Sequence, residues 1–448
     1  MIQEDNREPI AETEKKKHSP GAWAMLILSC VLVLGLSIWL ITILVRNSRA
    51  NQPAETDPVQ VETPAAPDTE APETEAPETE APETETPDTE APATAAPDTD
   101  APATEEPTTE VPTTEAPTEP LPEPTPDDVT GPADVTGKAV KSGTVYIVGD
   151  SGYGGYWFGE TQSARYCEAV SSVARALEGK ADVYSLICPL AAGVNLSDET
   201  REAIGYSDER EAIRWMCDHM DPLVHNVPVW GALKSHNDEY LFFRTDHHWT
   251  SLGAYYAYRE FCAVKGIQPH ETDDFETYVY EGFIGSLYSY SNNNAALKSN
   301  PDTVTAYIPN GTNAMTCYMP TNGGYSEYNW EIVKDVSGYN RGSYYLTFVA
   351  GDQPFNYAHN ETVTDGSSVL IVKDSYGNAF IPFLVDHYEH IYWIDYRSYG
   401  DWSVWAGKEN SAISTLVLEK GIQDVILCNN ISSTGSKSLL DTMEKIFK

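Results

Sequence analysis

The segment Arg244-Thr-Asp-His-His-Trp249 places an acid and two bases on three consecutive positions, directly ahead of a helical pattern that opens at Thr250. Far downstream, the apolar run Ser367 to Val372 ends in Lys373-Asp374-Ser375-Tyr376-Gly377, where another helical pattern begins. A serine hydroxyl attacks poorly until an imidazole takes its proton, and that imidazole needs a carboxylate to set its tautomer and stabilise its charge. Asp246 and His248 supply both groups in a D-x-H spacing, and Ser375 supplies the hydroxyl. His247 points elsewhere in such an arrangement and reads as structural.

Ser375 draws its weight from position. A serine between a buried strand and a helix lies at the carboxyl edge of a sheet, where open α/β folds place ligands. The helix N-terminus beyond it favours developing negative charge. The bland reading of the same residues is that Asp374 or Ser375 merely caps the helix. Asp-His-His also suits a metal site, as in a metal-dependent phosphoesterase. Against that, no D-x-D in the globular part, no H-x-x-x-H or H-E-x-x-H and no third ligand cluster appears, so no metal or other cofactor is expected. Gly149-Asp150-Ser151 follows an apolar run and offers a rival serine, but no histidine after His390 completes it, and Ser151 reads as a turn residue.

The elements that must position these groups alternate in type. Strand-like Thr144 to Val148 and Asp182 to Cys188 flank a helical Ser163 to Leu177, and such alternation predicts βαβ units. Helices are expected at Asp208 to Met220 and Ser251 to Val264, the latter stopped by Gly266, with a strand-like Val227 to Trp230 between them. Ser367 to Val372, His390 to Ile394 and Asp424 to Cys428 read as buried strands, separated by helices near Asn378 to Val385 and Ala412 to Glu419. Between Pro269 and Gly366 the pattern turns irregular, with β-like pieces such as Tyr344 to Val349, which predicts an insertion or elaborated loops.

Composition divides the 448 residues unequally. Gly21 to Val45 is an uncharged stretch of 25 residues, and at about 1.5 Å per residue it outspans a roughly 30 Å hydrocarbon core. It is expected to be an uncleaved transmembrane signal anchor, with residues 1–20 as a cytoplasmic tail. Residues 51–130 carry 23 acids and no Lys or Arg, in repeats such as Thr74-Glu75-Ala76-Pro77-Glu78. Such a chain cannot collapse onto a core, so 46–136 is expected to be a disordered, semi-stiff spacer. The rest has 40 acids against 22 bases, which argues against nucleic acid as a ligand. All 27 Tyr follow Thr144, as do eight of ten Trp, and aromatic faces of this kind also stack on sugar rings. Six cysteines lie outside the apolar span, widely spaced in apolar patterns, and read as buried thiols rather than disulfides.

The stretch Tyr240-Leu-Phe-Phe-Arg-Thr-Asp-His-His-Trp-Thr-Ser-Leu-Gly-Ala-Tyr-Tyr256, together with Lys373-Asp-Ser-Tyr-Gly-Asn-Ala-Phe-Ile-Pro-Phe383, closely resembles the DHHW family of bacterial exported proteins. That family is similar in turn to the SGNH-hydrolase-like acetyltransferases of the alginate O-acetylation type. The resemblance spans most of Val145 to Lys448. It implies a three-layer, flavodoxin-like α/β fold with a mostly parallel sheet over 137–448, on the extracellular side of a cell membrane crossed once. It also implies Ser375 as nucleophile, His248 as base and Asp246 as its orienting acid, with Arg397, Asn430 and Tyr376 as candidates for substrate binding or the oxyanion. The activity implied is O-acetyl transfer to hydroxyls of a cell-wall or exopolysaccharide, with a membrane-bound acyl-transfer partner. A non-catalytic glycan-binding or scaffold protein is the alternative of a different class.

Overall fold

The computed structural model describes residues 121–408 and 411–448. The apolar stretch 21–45 and residues 46–120 of the spacer lie outside the described residues. Among the described residues no helix is long and apolar enough to cross a membrane. Ordered contacts begin upstream of residue 137. Thr125 donates its N–H and hydroxyl to the Glu260 carboxylate, and Asp134 accepts from the Lys234 ammonium at 2.5 Å.

Five strands form the parallel part of an eight-stranded sheet, in the order Val224–Asn226, Asp182–Cys188, Asp424–Asn430, Ser368–Lys373 and His390–Asp395. Three antiparallel strands extend it from the last of these: Asn356–His359, Ala314–Thr321 and Gly324–Glu331. All residues of Ser368–Lys373 and Asp424–Asn430 are buried, as expected of strands covered on both faces by helices. One helical layer contains Val229–Ser235, Ser251–Lys265 and Gly377–Leu384, which pack on one another. Another is built around Glu160–Ala176, Tyr396–Trp405 and Lys437–Ile446. The architecture is therefore mixed α/β, with a largely parallel centre.

The parallel strands point their carboxyl ends the same way, so the chemistry-bearing termini gather along one edge. Lys373 pairs in register with Cys428 on one side and with Asp395 on the other. Ser375 therefore emerges between Asn430, the last residue of one neighbouring strand, and Arg397, just past the end of the other.

Three local expectations are corrected. Val145–Val148 does not join the parallel sheet but forms a small antiparallel sheet with Val140–Ser142 and Ser151–Tyr153. Gly149, at a φ of 63°, and Asp150 make its tight turn, so Ser151 is a hairpin residue whose hydroxyl donates to Asp150. Val227 to Trp230 is not a strand, because the pairing segment is Val224–Asn226 and Val229 already begins a helix. Tyr344 to Val349 is not a strand: Tyr344 to Thr347 complete the 3-10 turn Arg341–Thr347, Phe348 makes a single antiparallel bridge to Val333, and Tyr345 covers the site. The six cysteines outside the apolar span are all free, and Cys188 and Cys428 approach to 3.7 Å between sulfurs.

Candidate functional site

The Asp-His-His loop is closed like a hairpin. Phe242 and Trp249 form an isolated bridge, Phe243 N–H donates to the His248 carbonyl at 3.2 Å, and Thr250 N–H donates to the Leu241 carbonyl at 2.8 Å. Thr250 then caps the helix Ser251–Lys265 by accepting from Gly253 N–H, and Gly266 ends it in the left-handed conformation at a φ of 76°.

Asp302, a fully buried carboxylate, holds the loop from behind. It accepts from Arg244 N–H at 2.9 Å, Thr245 N–H at 2.7 Å and the Thr245 hydroxyl at 2.5 Å, as well as from the Tyr240 hydroxyl. These bonds aim the next residue, Asp246, inward. Ser286 N–H donates to Asp246 Oδ2 at 2.8 Å, and a Cβ on Gly285 would lie 2.2 Å from Asp246 Cβ, so only glycine permits this approach.

His248 Nδ1 lies 2.6 Å from Asp246 Oδ1, and its Nε2 lies 2.7 Å from Ser375 Oγ. Burial raises the Asp246 carboxyl's affinity for protons, but the charge and hydrogen bond of His248, then His247 and the Ser286 N–H, outweigh it and hold the group well below the usual carboxylate range. An ionised carboxylate only accepts, so Nδ1 carries a hydrogen, and in the neutral ring Nε2 accepts from the serine hydroxyl. Asp246, His248 and Ser375 are thus brought into one hydrogen-bonded chain.

Aromatic side chains lock the two segments together. Trp249, fully buried, donates its indole N–H to the Tyr376 carbonyl at 2.9 Å, and the Tyr376 hydroxyl donates to the His247 carbonyl. Tyr345 stacks on the His248 ring, centroids 4.1 Å apart and 10° from parallel, while its hydroxyl donates to the Ser375 carbonyl at 3.0 Å. Sequence reasoning missed Tyr345, Asp302 and Ser286. Each is a single residue between Pro269 and Gly366, where the sequence pattern is irregular, with no spacing that marks it.

A cleft of about 150 Å³ opens at the serine, lined among others by His247, Ser375, Tyr376, Arg397, Asn430 and Ser433. Asn430 Oδ1 caps the following helix by accepting from Ser432 N–H at 2.9 Å. Its Nδ2 is buried and has no partner, leaving one amide donor at the cleft. Tyr376 borders the cleft, yet its hydroxyl is taken by His247 and its N–H donates to Asp374 Oδ1 at 3.1 Å. Both donors are thus used to position the two segments, while the Tyr376 side chain borders the cleft. Asp374 also accepts from Asn430 N–H and the Ser433 hydroxyl, so it ties the serine turn to the adjoining strand end rather than acting as a simple cap.

Arg397 is partly exposed and reaches the cleft from the other side. It donates through Nε and Nη2 to Asp395 at 2.8 and 2.5 Å and through Nη2 to Asp352 at 2.8 Å. The fully buried Lys373 ammonium lies 3.2 Å from Asp352 and 3.3 Å from Asp395. Two cations and two carboxylates therefore compensate one another beneath the serine turn. Asp246, His247 and His248 also have ligand-type atoms within 4.8 Å of one another. A metal there would have to displace the bonds of His248 to Asp246 and Ser375, and that of His247 Nδ1 to Ser286 Oγ at 2.6 Å.

A family model described as DHHW protein matches residues 117–394. Among solved structures, a DHHW family protein from Eubacterium siraeum shares 26% identity at a TM-score of 0.59, covering 70% of this chain and 99% of its own. Bacillus cereus PatB1, solved with a sulfonyl adduct, shares 14% at 0.52 over 69% of this chain and 98% of its own, a likeness of fold alone. The O-acetyltransferase domain of Pseudomonas putida AlgJ shares 10% over 68% and 98%, at a TM-score of 0.34 that carries no weight. No curated protein matches the chain significantly.

Replacing Asp302 with Ala orphans several buried donors and is expected to cost about 3 kcal/mol. The exposed Asp401→Ala should cost under about 0.5 kcal/mol, both read from urea unfolding of the full-length chain. Burial, and then the neighbouring His248 ring, push the His247 imidazole down from 6.5 to about 4. The unfolded chain therefore takes up this proton first, and stability should fall as pH drops from about 6.5 towards about 4. Urea midpoints across that window should show a shallower decline in His247→Gln.

Proposed function

We propose, starting from the fact that the chain belongs to the DHHW family, that it is a serine-dependent acyltransferase or esterase acting on acyl esters of an extracellular glycan, with acetyl as the acyl group. The observation that carries this reading is the chain of two hydrogen bonds, 2.7 and 2.6 Å long, from Ser375 through His248 to Asp246. These are lengths at which a proton passes from hydroxyl to imidazole while a carboxylate steadies the resulting charge.

In the first step Ser375 Oγ attacks the acyl carbonyl carbon as its proton moves to His248 Nε2. Asp246, kept ionised, stabilises the imidazolium without taking the proton. The carbonyl oxygen gains the negative charge, and the unpartnered Nδ2 of Asn430 is the side-chain donor available at the cleft to meet it. Collapse expels the donor's alkoxide, which takes the proton from Nε2 and leaves acyl-Ser375. In the second step a sugar hydroxyl, or water, gives its proton to Nε2 and attacks the acyl carbon. Ser375 Oγ leaves and recovers the proton. Arg397, held by Asp352 and Asp395, lines the side of the cleft as a group for holding the substrate.

Several features favour a glycan acceptor. Trp157, 62% exposed, lies beside Gly435, the last residue of the helix that follows Asn430. Next to it Phe158 and Trp215 line an open groove of about 460 Å³. Flat apolar faces of this kind accept the C–H surface of sugar rings. The uncharged segment 21–45 and the acidic spacer after it fit a single-pass anchor that holds the domain outside the cell, within reach of a glycan. An exported site cannot draw on cytosolic acetyl-CoA, so a membrane-bound partner would deliver the acyl group.

The full-length chain should release acid from an aryl acetate. Ser375→Ala should reduce kcat/KM on the order of 10³-fold or more, Asp246→Asn comparably, and Asn430→Ala on the order of 10²-fold. A sulfonyl fluoride should label the wild type on Ser375 alone. Equal aryl acetate rates in wild type and Ser375→Ala, with glycan binding retained, would replace this reading with that of a non-catalytic binding module.

A further inference from the structure

A second group of ligand-type side chains lies at the opposite end of the sheet. His359 closes the strand Asn356–His359 and pairs directly across it with His390, the first residue of His390–Asp395. Glu389 immediately precedes His390. Nε2 of His359 and Nε2 of His390 each lie 3.7 Å from Glu389 Oε1, and the three ligand atoms fall within 4.8 Å of one another. Donor atoms around a tetrahedral ion bound at about 2.0–2.2 Å stand roughly 3.3–3.5 Å apart, so the two imidazole–carboxylate separations are only slightly wider than a bound site requires.

The other atoms of His390 and Glu389 are held in the way such a site needs. His390 Nδ1 is 2.9 Å from the Tyr357 hydroxyl, and with the hydrogen on Nδ1 the Nε2 lone pair stays free. Glu389 Oε2 accepts from Gly366 N–H at 2.8 Å, leaving Oε1 to face the two imidazoles. The strand backbone is anchored as well, since Asn360 N–H donates to the Glu389 carbonyl and His390 N–H to the Ser367 carbonyl. The two imidazole rings stack at 5.0 Å and 17°. To share an ion, the exposed His359 ring must turn about its Cβ–Cγ bond, a soft rotation.

We propose that His359, Glu389 and His390 bind one divalent transition-metal ion of the zinc type, with a fourth position open to water. Two imidazoles and one carboxylate suit zinc, cobalt, nickel or copper better than magnesium or calcium, which prefer oxygen. Ser368 is level with His390 and Lys373 with Asp395, so about 17 Å of strand, at roughly 3.3 Å per residue, separates this end from the serine. The ion is therefore structural. It pins the connection 360–367 to the sheet and takes no part in acyl transfer.

The full-length chain, freed of metal with a chelator, is titrated with Zn²⁺ by calorimetry and with Co²⁺ by its visible absorption. One ion should bind, raise the thermal midpoint and, for cobalt, give the bands of a four-coordinate site. His359→Asn and Glu389→Gln should each weaken binding at least about tenfold, whereas Asp246→Asn should leave it unchanged. His359 is exposed, so its replacement keeps the sheet contacts, and unchanged circular dichroism verifies this. Absence of zinc binding, or zinc binding that survives both substitutions, overturns the proposal.

Discussion

A buried carboxylate has to be compensated, and the arrangement around Ser375 follows from how Asp246 meets that demand. Left alone in the interior, its carboxyl would take up a proton and lose the ability to orient an imidazole. Here the His248 ring, the His248 N–H and the Ser286 N–H satisfy it, and the charged form is preferred. Because that carboxylate can only accept, the imidazole tautomer is determined, and with it the direction of the bond to Ser375. Shifting Asp246 by an ångström would undo all three. That is why Gly285 is packed against it without a side chain and why Asp302 grips the two preceding residues.

The same logic governs the serine side. Lys373 enters the core as a fully buried cation because Asp395 and Asp352 accompany it, and Arg397 completes the balance. Removing one member of such a group leaves an unpaired charge in a poorly solvated place. The strand end that carries Ser375 is thereby tied to the end that carries Arg397. Asp374 ties it to the third end, at Asn430. Three adjacent parallel strands deliver these termini together, and Trp249, Tyr376 and Tyr345 connect them to the Asp-His-His loop. The position of Ser375 is thus a property of the sheet, while the readiness of His248 is a property of the loop.

The two ends of the sheet differ in character. The carboxyl end gathers a nucleophile, a base and compensated charges around a small cleft. The opposite end gathers two imidazoles and a carboxylate, with His390 opening a parallel strand and His359 closing its antiparallel neighbour. A parallel sheet separates such groups by the length of its strands, which lets the ends serve different purposes without interference.

The D-x-H spacing, the strand-to-helix position of Ser375 and the apolar runs of the parallel strands were all legible in the chain, because each is a local pattern with a direct physical meaning. The helix Ser251–Lys265, bracketed by Thr250 and Gly266, was legible for the same reason. Other features were not. Tyr344 to Thr347 has strand-like residues yet lies in a 3-10 turn, where Tyr345 covers His248 and bonds the Ser375 carbonyl in place of a weak intrinsic preference. Val145–Val148 has the composition of a sheet strand, but only pairing partners could assign it to a separate hairpin. Asp302 and Tyr345 are single residues that no sequence spacing marks, important solely through what they touch. Local order therefore follows from the chain, whereas the meeting of Asp246, His248 and Ser375 depends on long-range pairing, which brings together residues that no spacing relates.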